Sequence, residues 1–254
     1  MSFTSTNQTG VVPGSDYNKY AFSVNAGMNF TKNFTGRISA QYIRSDSEGR
    51  PAQGANDSNL LIPLINGLPR TIDIHDIQKN WIDENGKQIT LDPEGKSNNP
   101  YWIINRNMFN TDRDRYIMSL SMKWNITNWL NIIGRARVDN AYTDFERKLY
   151  ASTDGLFSKS QGNYMTQEDK NTATYLDFLV NIDKKFGENY HLLVNLGGSY
   201  YDEKYKSSTF EGNLLGVPNF FHPSNIPSTE SGYSKQSLHT QTQSLYGKAE
   251  LGYR

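Results

Sequence analysis

The 254-residue sequence contains no cysteine, which excludes disulfides and thiolate metal sites. It also has no run of about 18 apolar residues, the length that a membrane-spanning helix needs. The segment 1–6 is polar and has neither the basic nor the apolar region of a signal peptide, so we expect an export signal to lie in sequence outside this chain. Its 26 basic and 26 acidic side chains cancel, so charge gives no reason to expect nucleic acid as a partner.

Aromatic residues, in contrast, are abundant in a chain that is otherwise polar. They make up 13% of the sequence, although the mean hydropathy is −0.70 and only 36% of the residues are hydrophobic. Disordered chains are poor in aromatic residues. A polar chain rich in Tyr, Phe and Trp instead suits strands that show one face to lipid and the other face to water.

Apolar and polar residues alternate with a period of two along much of the chain. Around Val24 and Met28, for example, the apolar positions are separated by Asn25 and Gly27. Such alternation is typical of strands that are apolar on one side only. We find it in segments 19–30, 34–42, 115–126, 130–138, 176–182, 190–200 and 241–254, with a partial first strand at 2–9. The predicted fold is all-β: an antiparallel meander of roughly eight strands that forms part of a transmembrane β-barrel.

The predicted connections alternate between short and long. Tight turns follow the strands that end near Phe30, Ile126 and Asp183, while long polar insertions at 45–112, 144–170 and 205–238 leave from the opposite ends. Short turns on one side and long loops on the other are typical of outer-membrane barrels. Segment 76–81 is predicted to form a single helical turn within the longest loop.

Aromatic residues on the outward face gather near both ends of the predicted strands. Two such girdles about one bilayer apart are expected where a barrel meets the membrane surfaces. The phase of the alternation then places six residues between the girdles on the lipid-facing side: Val24, Leu120, Ile132, Val180, Val194 and Leu251. The girdles are Phe30, Phe34, Trp124, Trp129, Phe186, Tyr190 and Tyr253 at the short turns, and Tyr20, Tyr42, Tyr116, Tyr142 and Tyr200 at the loops.

Residues that could carry catalysis are sparse. His75 lies between Asp73 and Asp76, but this spacing matches no metal-ligand motif, and no HExxH, CxxC or GxSxG sequence is present. We therefore predict that the chain is not an enzyme and has no cofactor or metal site. The loops instead combine aromatic rings with amides, a mixture found in many ligand sites. The candidate substrate contacts are Trp81, Tyr101, Trp102, Phe220 and Phe221, with Trp102 and Phe221 as the leading pair.

An ordered set of segments resembles the middle of the barrel of SusC/RagA-type TonB-dependent transporters. It comprises residues 10–15 (GVVPGS), 99–102 (NPYW), 112–116 (DRDRY), 121–124 (SMKW), 129–130 (WL), 134–135 (GR), 138–139 (VD) and 243–248 (QSLYGK). The resemblance implies a 22-stranded, plugged barrel in the bacterial outer membrane, of which residues 1–254 are a part without the plug domain and the remaining strands. It also implies import of oligosaccharides or peptides with a SusD-like surface lipoprotein, surrounding outer-membrane lipid, and energy from TonB acting through regions outside this chain.

Two other interpretations remain open at this stage. One is a self-contained barrel of about eight strands, either a structural outer-membrane protein or a lipid-modifying enzyme. The other is a soluble carbohydrate-binding β-sandwich, which the outward aromatic girdles disfavour. The alternation begins and stops within predicted strands, so we expect a piece of a larger barrel rather than a complete small one.

Overall fold

The computed structural model describes residues 1–50, 52, 58–60, 68, 71–91, 97–154 and 160–253. Its strands form one antiparallel sheet in which each strand pairs with the next along the chain. Two short α-helices, α1 (Ile74–Lys79) and α2 (Pro100–Arg106), lie between β3 and β4. The eight strands are β1 (Ser2–Thr9), β2 (Asp16–Asn29), β3 (Phe34–Glu48), β4 (Asn107–Asn125), β5 (Leu130–Tyr150), β6 (Gly162–Phe186), β7 (Tyr190–Asn213) and β8 (Ser231–Tyr253).

The register gives the sheet one apolar face and one polar face. One continuous row of cross-strand partners on the apolar face runs Ala26, Ile38, Leu120, Ala136, Leu176 and Tyr200. The adjacent row, on the polar face, runs Gly27, Arg37, Ser121, Arg135, Asp177 and Ser199. Since side chains alternate between faces along a strand, these two rows define the faces for the whole sheet.

All six residues predicted to face lipid lie on the apolar face. Val24 and Leu120 belong to it through β2 and β4, and Val180, Val194 and Leu251 through β6, β7 and β8. Large side chains on this face are exposed in the isolated sheet, including Leu120 at 39% and Leu251 at 71%. The prediction of a shared, exposed apolar face is therefore confirmed, and these residues do not form an internal core.

Aromatic residues of this face make contact across neighbouring strands at two levels of the sheet. At the short-turn end the rings of Phe30 and Phe34 are 5.2 Å apart between centroids, as are those of Tyr190 and Tyr253. About midway along β4, on the loop side of the apolar band, Tyr42 stacks on Tyr116 at 4.9 Å. Cross-strand aromatic pairs stabilise sheets by about 0.2–1 kcal/mol each.

The predicted asymmetry of the connections is confirmed, but two of the predicted loops are much too long. The turns at 30–33, 126–129 and 187–189 lie on one side, and the connections at 49–106, 151–161 and 214–230 lie on the other. Residues 144–150 and 162–170, predicted as loop, continue β5 and β6, and residues 205–213 and 231–238 continue β7 and β8. Strand β6 therefore has 25 residues. The predicted helical turn at 76–81 is found two residues earlier, as α1.

The topology differs from both alternative folds. Among the described residues β1 pairs only with β2 and β8 only with β7, so the eight strands do not close on themselves. They also form a single sheet rather than the two packed sheets of a sandwich. In the part of the chain that is described, no helix has the length and hydrophobicity to cross a bilayer.

Candidate functional site at the long-loop end

The described part of the long β3–β4 connection is organised by two capped helices. The side chain of Asp73 accepts a hydrogen bond from the backbone N–H of His75 at the start of α1 (2.9 Å). Asn99 does the same for Tyr101 at the start of α2 (3.0 Å), with Pro100 at the first helical position. Side chains that cap the first turn satisfy backbone donors which have no partner inside the helix.

A network of amide side chains fastens this connection to the turn between β5 and β6. The Gln88 amide donates to the Asn98 side-chain oxygen (2.8 Å) and to the Ser152 carbonyl oxygen (2.6 Å). The Asn98 amide donates to the carbonyl oxygen of Asp154 (2.7 Å), and its oxygen accepts from the backbone N–H of Asp154 (2.8 Å). Amide side chains whose donor and acceptor groups are both hydrogen-bonded hold the two segments that they join in a fixed relative position.

Trp102 lies at the centre of this loop structure. Its side chain is almost fully buried at 1% exposure, and its indole Nε1–H donates to the hydroxyl of Thr153 (2.8 Å). That hydroxyl donates in turn to the side-chain oxygen of Asn107, the first residue of β4 (2.9 Å). Trp102 therefore packs the loop in this conformation, and its ring is covered from any ligand.

Trp81 and Tyr101, two other predicted contacts, are only partly covered. The Trp81 ring lies 6.1 Å from that of Trp102 and 6.0 Å from the guanidinium of Arg106, which also lies 4.8 Å from the ring of Tyr150. Cation–π contacts of this kind order the residues that take part in them. Trp81 and Tyr101 therefore offer apolar surface at the loop end on a fixed frame.

The last two predicted residues, Phe220 and Phe221, are neighbours with different environments. Phe221 packs edge-on against Tyr150 at 4.9 Å and reaches the ring of Tyr164 at 6.0 Å. It covers a small buried cluster formed by Tyr164, Leu214 and Ile226. Phe220 is 52% exposed and stacks only on His222 (5.9 Å). The structure thus does not bring the five predicted residues together: Trp102 is buried, Trp81, Tyr101 and Phe221 are half-buried, and Phe220 is exposed.

Below the loops, the polar face carries cross-strand ion pairs. Arg115 of β4 binds Asp139 of β5 through two hydrogen bonds of 2.8 and 2.6 Å, and Arg137 adds a third at 3.1 Å. Arg135 binds Asp177 of β6 in the same bidentate way, and the Asp177 side chain is 1% exposed. Hydrogen bonds between oppositely charged groups in this bidentate geometry are strong.

Polar contacts extend along this face in both directions. Nearer the turns, the amides of Asn131, Asn181 and Asn195 form a ladder across β5, β6 and β7, with bonds of 2.8 and 2.6 Å. Nearer the loops, Arg147 binds Glu211. The sequence places these residue types on one face, but their pairing depends on the register between strands and was not predicted.

Each histidine in the described parts of the loops contacts a side chain two residues away: His75 the carboxylate of Asp73 (Nδ1 to Oδ1, 2.8 Å), and His222 the hydroxyl of Ser224 (Nδ1 to Oγ, 2.7 Å). The pKa of Asp73 is lowered because the backbone N–H and the ring of His75 donate to it. Within the residues that the structure describes, no three histidine or carboxylate side chains come close enough to hold a metal ion.

Comparison with known proteins gives similarity in structure but not in sequence. No protein-family model and no curated protein matches the sequence. The RagAB peptide importer in its open-open state matches with a TM-score of 0.72 and 12% identity, covering 99% of this chain and 27% of that chain. Another structure of the RagAB peptide transporter matches with a TM-score of 0.74 and 11% identity, covering 94% of this chain and 26% of that chain.

The same importer in its closed-closed state gives a TM-score of 0.71 at 12% identity, covering 99% of this chain and 28% of that chain. This chain spans about a quarter of the length of the solved chains that it matches. Similarity at this level of identity establishes a fold. The chain therefore has the fold of one stretch of the RagAB structures, which agrees with its resemblance to SusC/RagA-type transporters. The predicted all-β fold, an antiparallel meander of roughly eight strands, is confirmed.

Proposed function

We propose that this chain is part of the barrel wall of a TonB-dependent nutrient importer in the bacterial outer membrane, of the SusC/RagA type. The observation that carries the proposal is the match of 99% of the chain, all eight strands in order, to the RagAB peptide importer. The two faces of the sheet support it. One is apolar and exposed, as a lipid-facing wall requires, and the other is lined with paired charges and amides, as a water-facing lumen requires.

The proposed cargo is a peptide or an oligosaccharide that enters from the loop side. The similar structures are described as a peptide importer, which favours a peptide. Rings beside amides, as found around Trp81 and Tyr101, can bind either class. No metal ligand set occurs among the described loop residues. His222 Nδ1 lies 2.7 Å from the Ser224 hydroxyl, but the same nitrogen also accepts from the Ser224 backbone N–H (3.2 Å) and caps the short turn Pro223–Asn225, so the proposal is uptake without cleavage.

The proposal includes a SusD-like surface lipoprotein as a lid and TonB as the energy source. The lid would bind the long connections, all of which leave from one side of the sheet. Coupling to TonB would be supplied by the rest of a longer protein. Purification of the full-length transporter with an affinity tag should recover a surface lipoprotein in equal amount, and absence of any such partner would contradict this part of the proposal.

Uptake tests the function as a whole. A strain that lacks the gene should lose growth on its peptide or oligosaccharide nutrient, and the full-length gene should restore growth only when TonB is present. Equal growth of the deleted and parental strains on every peptide and glycan source tested would reject the importer.

The accessible loop rings provide the finer test of cargo binding. Phe220→Ala and Tyr101→Ala in the full-length protein should each lower cargo affinity, because each removes exposed ring surface at the loop end. Phe178→Ala is a matched control, since this phenylalanine is also 50% exposed but lies on the apolar face in mid-strand. Isothermal titration with cargo would then show weaker binding for the two loop variants and unchanged binding for the control. Unchanged affinity in both loop variants would remove these residues from the cargo site.

A further inference from the structure

We propose that the apolar face carries a specific site for a phosphorylated lipid of the outer leaflet. Its phosphate would bind between Lys170 and Lys206, and one of its acyl chains would occupy the groove around Gly134. This inference rests on the proposed membrane location, because the apolar face meets lipid only if the sheet spans a bilayer.

The groove is a hollow of about 920 Å³ across β4–β8. A side-chain carbon built on Gly134 would meet no atom within 4 Å, so the floor of the groove is open there. The equivalent positions at Gly36 and Gly198 are covered by the rings of Phe30 and Phe178, at 2.8 Å in each case. The side chains of the apolar face that line it are Leu120, Met122, Ala136, Leu176, Phe178, Tyr200 and Leu245, together with the amide of Gln243.

The groove lies where a lipid chain would run. Its lining belongs to the middle of the strands, between the aromatic contacts at the short turns and those at the loops. Flexible acyl chains fill such hollows without leaving a void, and voids in packed apolar surfaces are costly. An apolar, elongated occupant therefore fits this position better than a polar one.

Two lysines lie on neighbouring strands of the apolar face, closer to the loops. Lys170 of β6 and Lys206 of β7 are direct cross-strand partners, and both are exposed. Like charges directly opposite each other destabilise a sheet unless an anion lies between them. Lys170 lies over the ring of Tyr142, with its Nζ 5.1 Å from the centroid. Within the described part of the chain neither lysine has a carboxylate within ion-pairing distance.

Two carboxylates of the same face, Asp202 and Glu168, form no ion pair with Lys170 or Lys206. Asp202 is already engaged by His239 at 2.5 Å and by Lys204 at 3.6 Å. Glu168 lies on the same face two residues before Lys170, on the loop side, and it forms no ion pair with either lysine of the pair. The pair therefore presents two cationic groups at the level where the tyrosines of the loop-end girdle meet the head groups.

The spacing between the lysine pair and the groove matches one lipid. Lys170 precedes Leu176 by six residues on β6, which is roughly 20 Å along a strand and roughly 14 Å in depth at a tilt of about 45°. A leaflet contributes about half of a hydrocarbon core that is about 30 Å thick. A phosphate at the lysines therefore places an acyl chain beside Gly134. Two positive charges beside an apolar groove favour an anionic, phosphorylated lipid over a zwitterionic one.

The test uses the full-length protein in nanodiscs of phosphatidylethanolamine, with diphosphoryl lipid A as the probe and native mass spectrometry as the readout. The wild type should retain lipid A. The double variant Lys170→Gln/Lys206→Gln should bind it about thirtyfold more weakly, since each lysine near a membrane surface contributes about fivefold. Gly134→Leu should also weaken retention by filling the groove. Lys123→Gln, an exposed lysine of the opposite face, is the matched control and should leave binding unchanged.

Two further measurements distinguish a lipid site from a simple anion site and from the absence of a site. Inorganic phosphate at millimolar concentration should not displace lipid A, and displacement would overturn the lipid site in favour of a simple anion site. Lipid A binding that is equal in the wild type and the double lysine variant would also overturn the inference. If those proteins insert and transport cargo normally, only the lipid site fails, whereas failure of the wild type to insert at all would reject the proposed membrane function itself.

Discussion

Leu120→Arg tests which face of the sheet meets the membrane. Leu120 lies on the apolar face between Ile38 and Ala136 and is 39% exposed. An arginine at this depth on a lipid-facing wall costs about 2–4 kcal/mol. The equilibrium ratio of folded to unfolded protein should therefore fall by a factor of roughly thirty to a thousand, given that about 1.4 kcal/mol corresponds to tenfold.

The neighbouring substitution Ser121→Arg introduces the same charge on the polar face. Here the new guanidinium meets water, but it lies directly between Arg37 and Arg135. Each like-charge contact costs about 0.2–1 kcal/mol, and Asp177 already neutralises Arg135, so the total should stay below about 2 kcal/mol. Ser121→Glu would meet two opposite charges instead, and it should cost the least of the three substitutions.

Denaturant titrations of the full-length protein in liposomes would measure the free energy of unfolding for each variant. We expect the penalties to decrease in the order Leu120→Arg, Ser121→Arg, Ser121→Glu. Equal penalties for the two arginine variants would refute the assignment of the faces. A larger penalty at Ser121 than at Leu120 would reverse the assignment.

Three further substitutions test packing and pairing. Arg135→Ala should destabilise the barrel by about 1–3 kcal/mol, because it leaves the buried carboxylate of Asp177 without its partner, and denaturant titration of a double-mutant cycle would show coupling between the two residues. Gly197→Ala should cost about 1–3 kcal/mol in the same assay, because the new carbon would lie 2.5 Å from the ring of Tyr246, and adding Tyr246→Leu should recover most of that loss. Trp102→Ala should speed hydrogen exchange and proteolysis in segment 71–106 far more than Trp102→Phe, which keeps an aromatic ring but loses the indole hydrogen bond and part of the ring volume, while exchange in the strands stays unchanged. Equal effects of both variants would argue against packing of the indole as the main role.

The strands within the apolar band could be predicted from the sequence, and their outer ends could not. Around Leu120 and Val180 one face is apolar, so the period of two is visible in the residues themselves. At 162–170 and 205–213 both faces are polar, and the alternation disappears although the ladder of hydrogen bonds continues. Pairing with neighbouring strands, which a single sequence does not reveal, extends these strands.

The candidate site, too, could be predicted from the sequence only in part. The residue types of the loops indicated rings and amides in contact with a ligand, but burial of Trp102 and packing of Phe221 depend on partners far along the chain, such as Thr153 and Tyr164. Helix α2 was missed although Asn99 followed by Pro100 is a typical start signal for a helix. The partners on the polar face, such as Asp177 for Arg135, became visible only when the register was known.

The length of β6 has a consequence for how far the long connections stand from the cell. Crossing a bilayer takes about 9–11 tilted residues, whereas β6 has 25 and its neighbour β7 has 24. Of the remaining residues, the eight at 162–169 lie on the loop side of Lys170, which the proposed lipid site places at the level of the head groups, and they add about 26 Å along the strand and about 19 Å in height at a tilt of about 45°. In the proposed membrane location, this hydrogen-bonded part of the sheet would hold the long connections at that height above the lipid head groups.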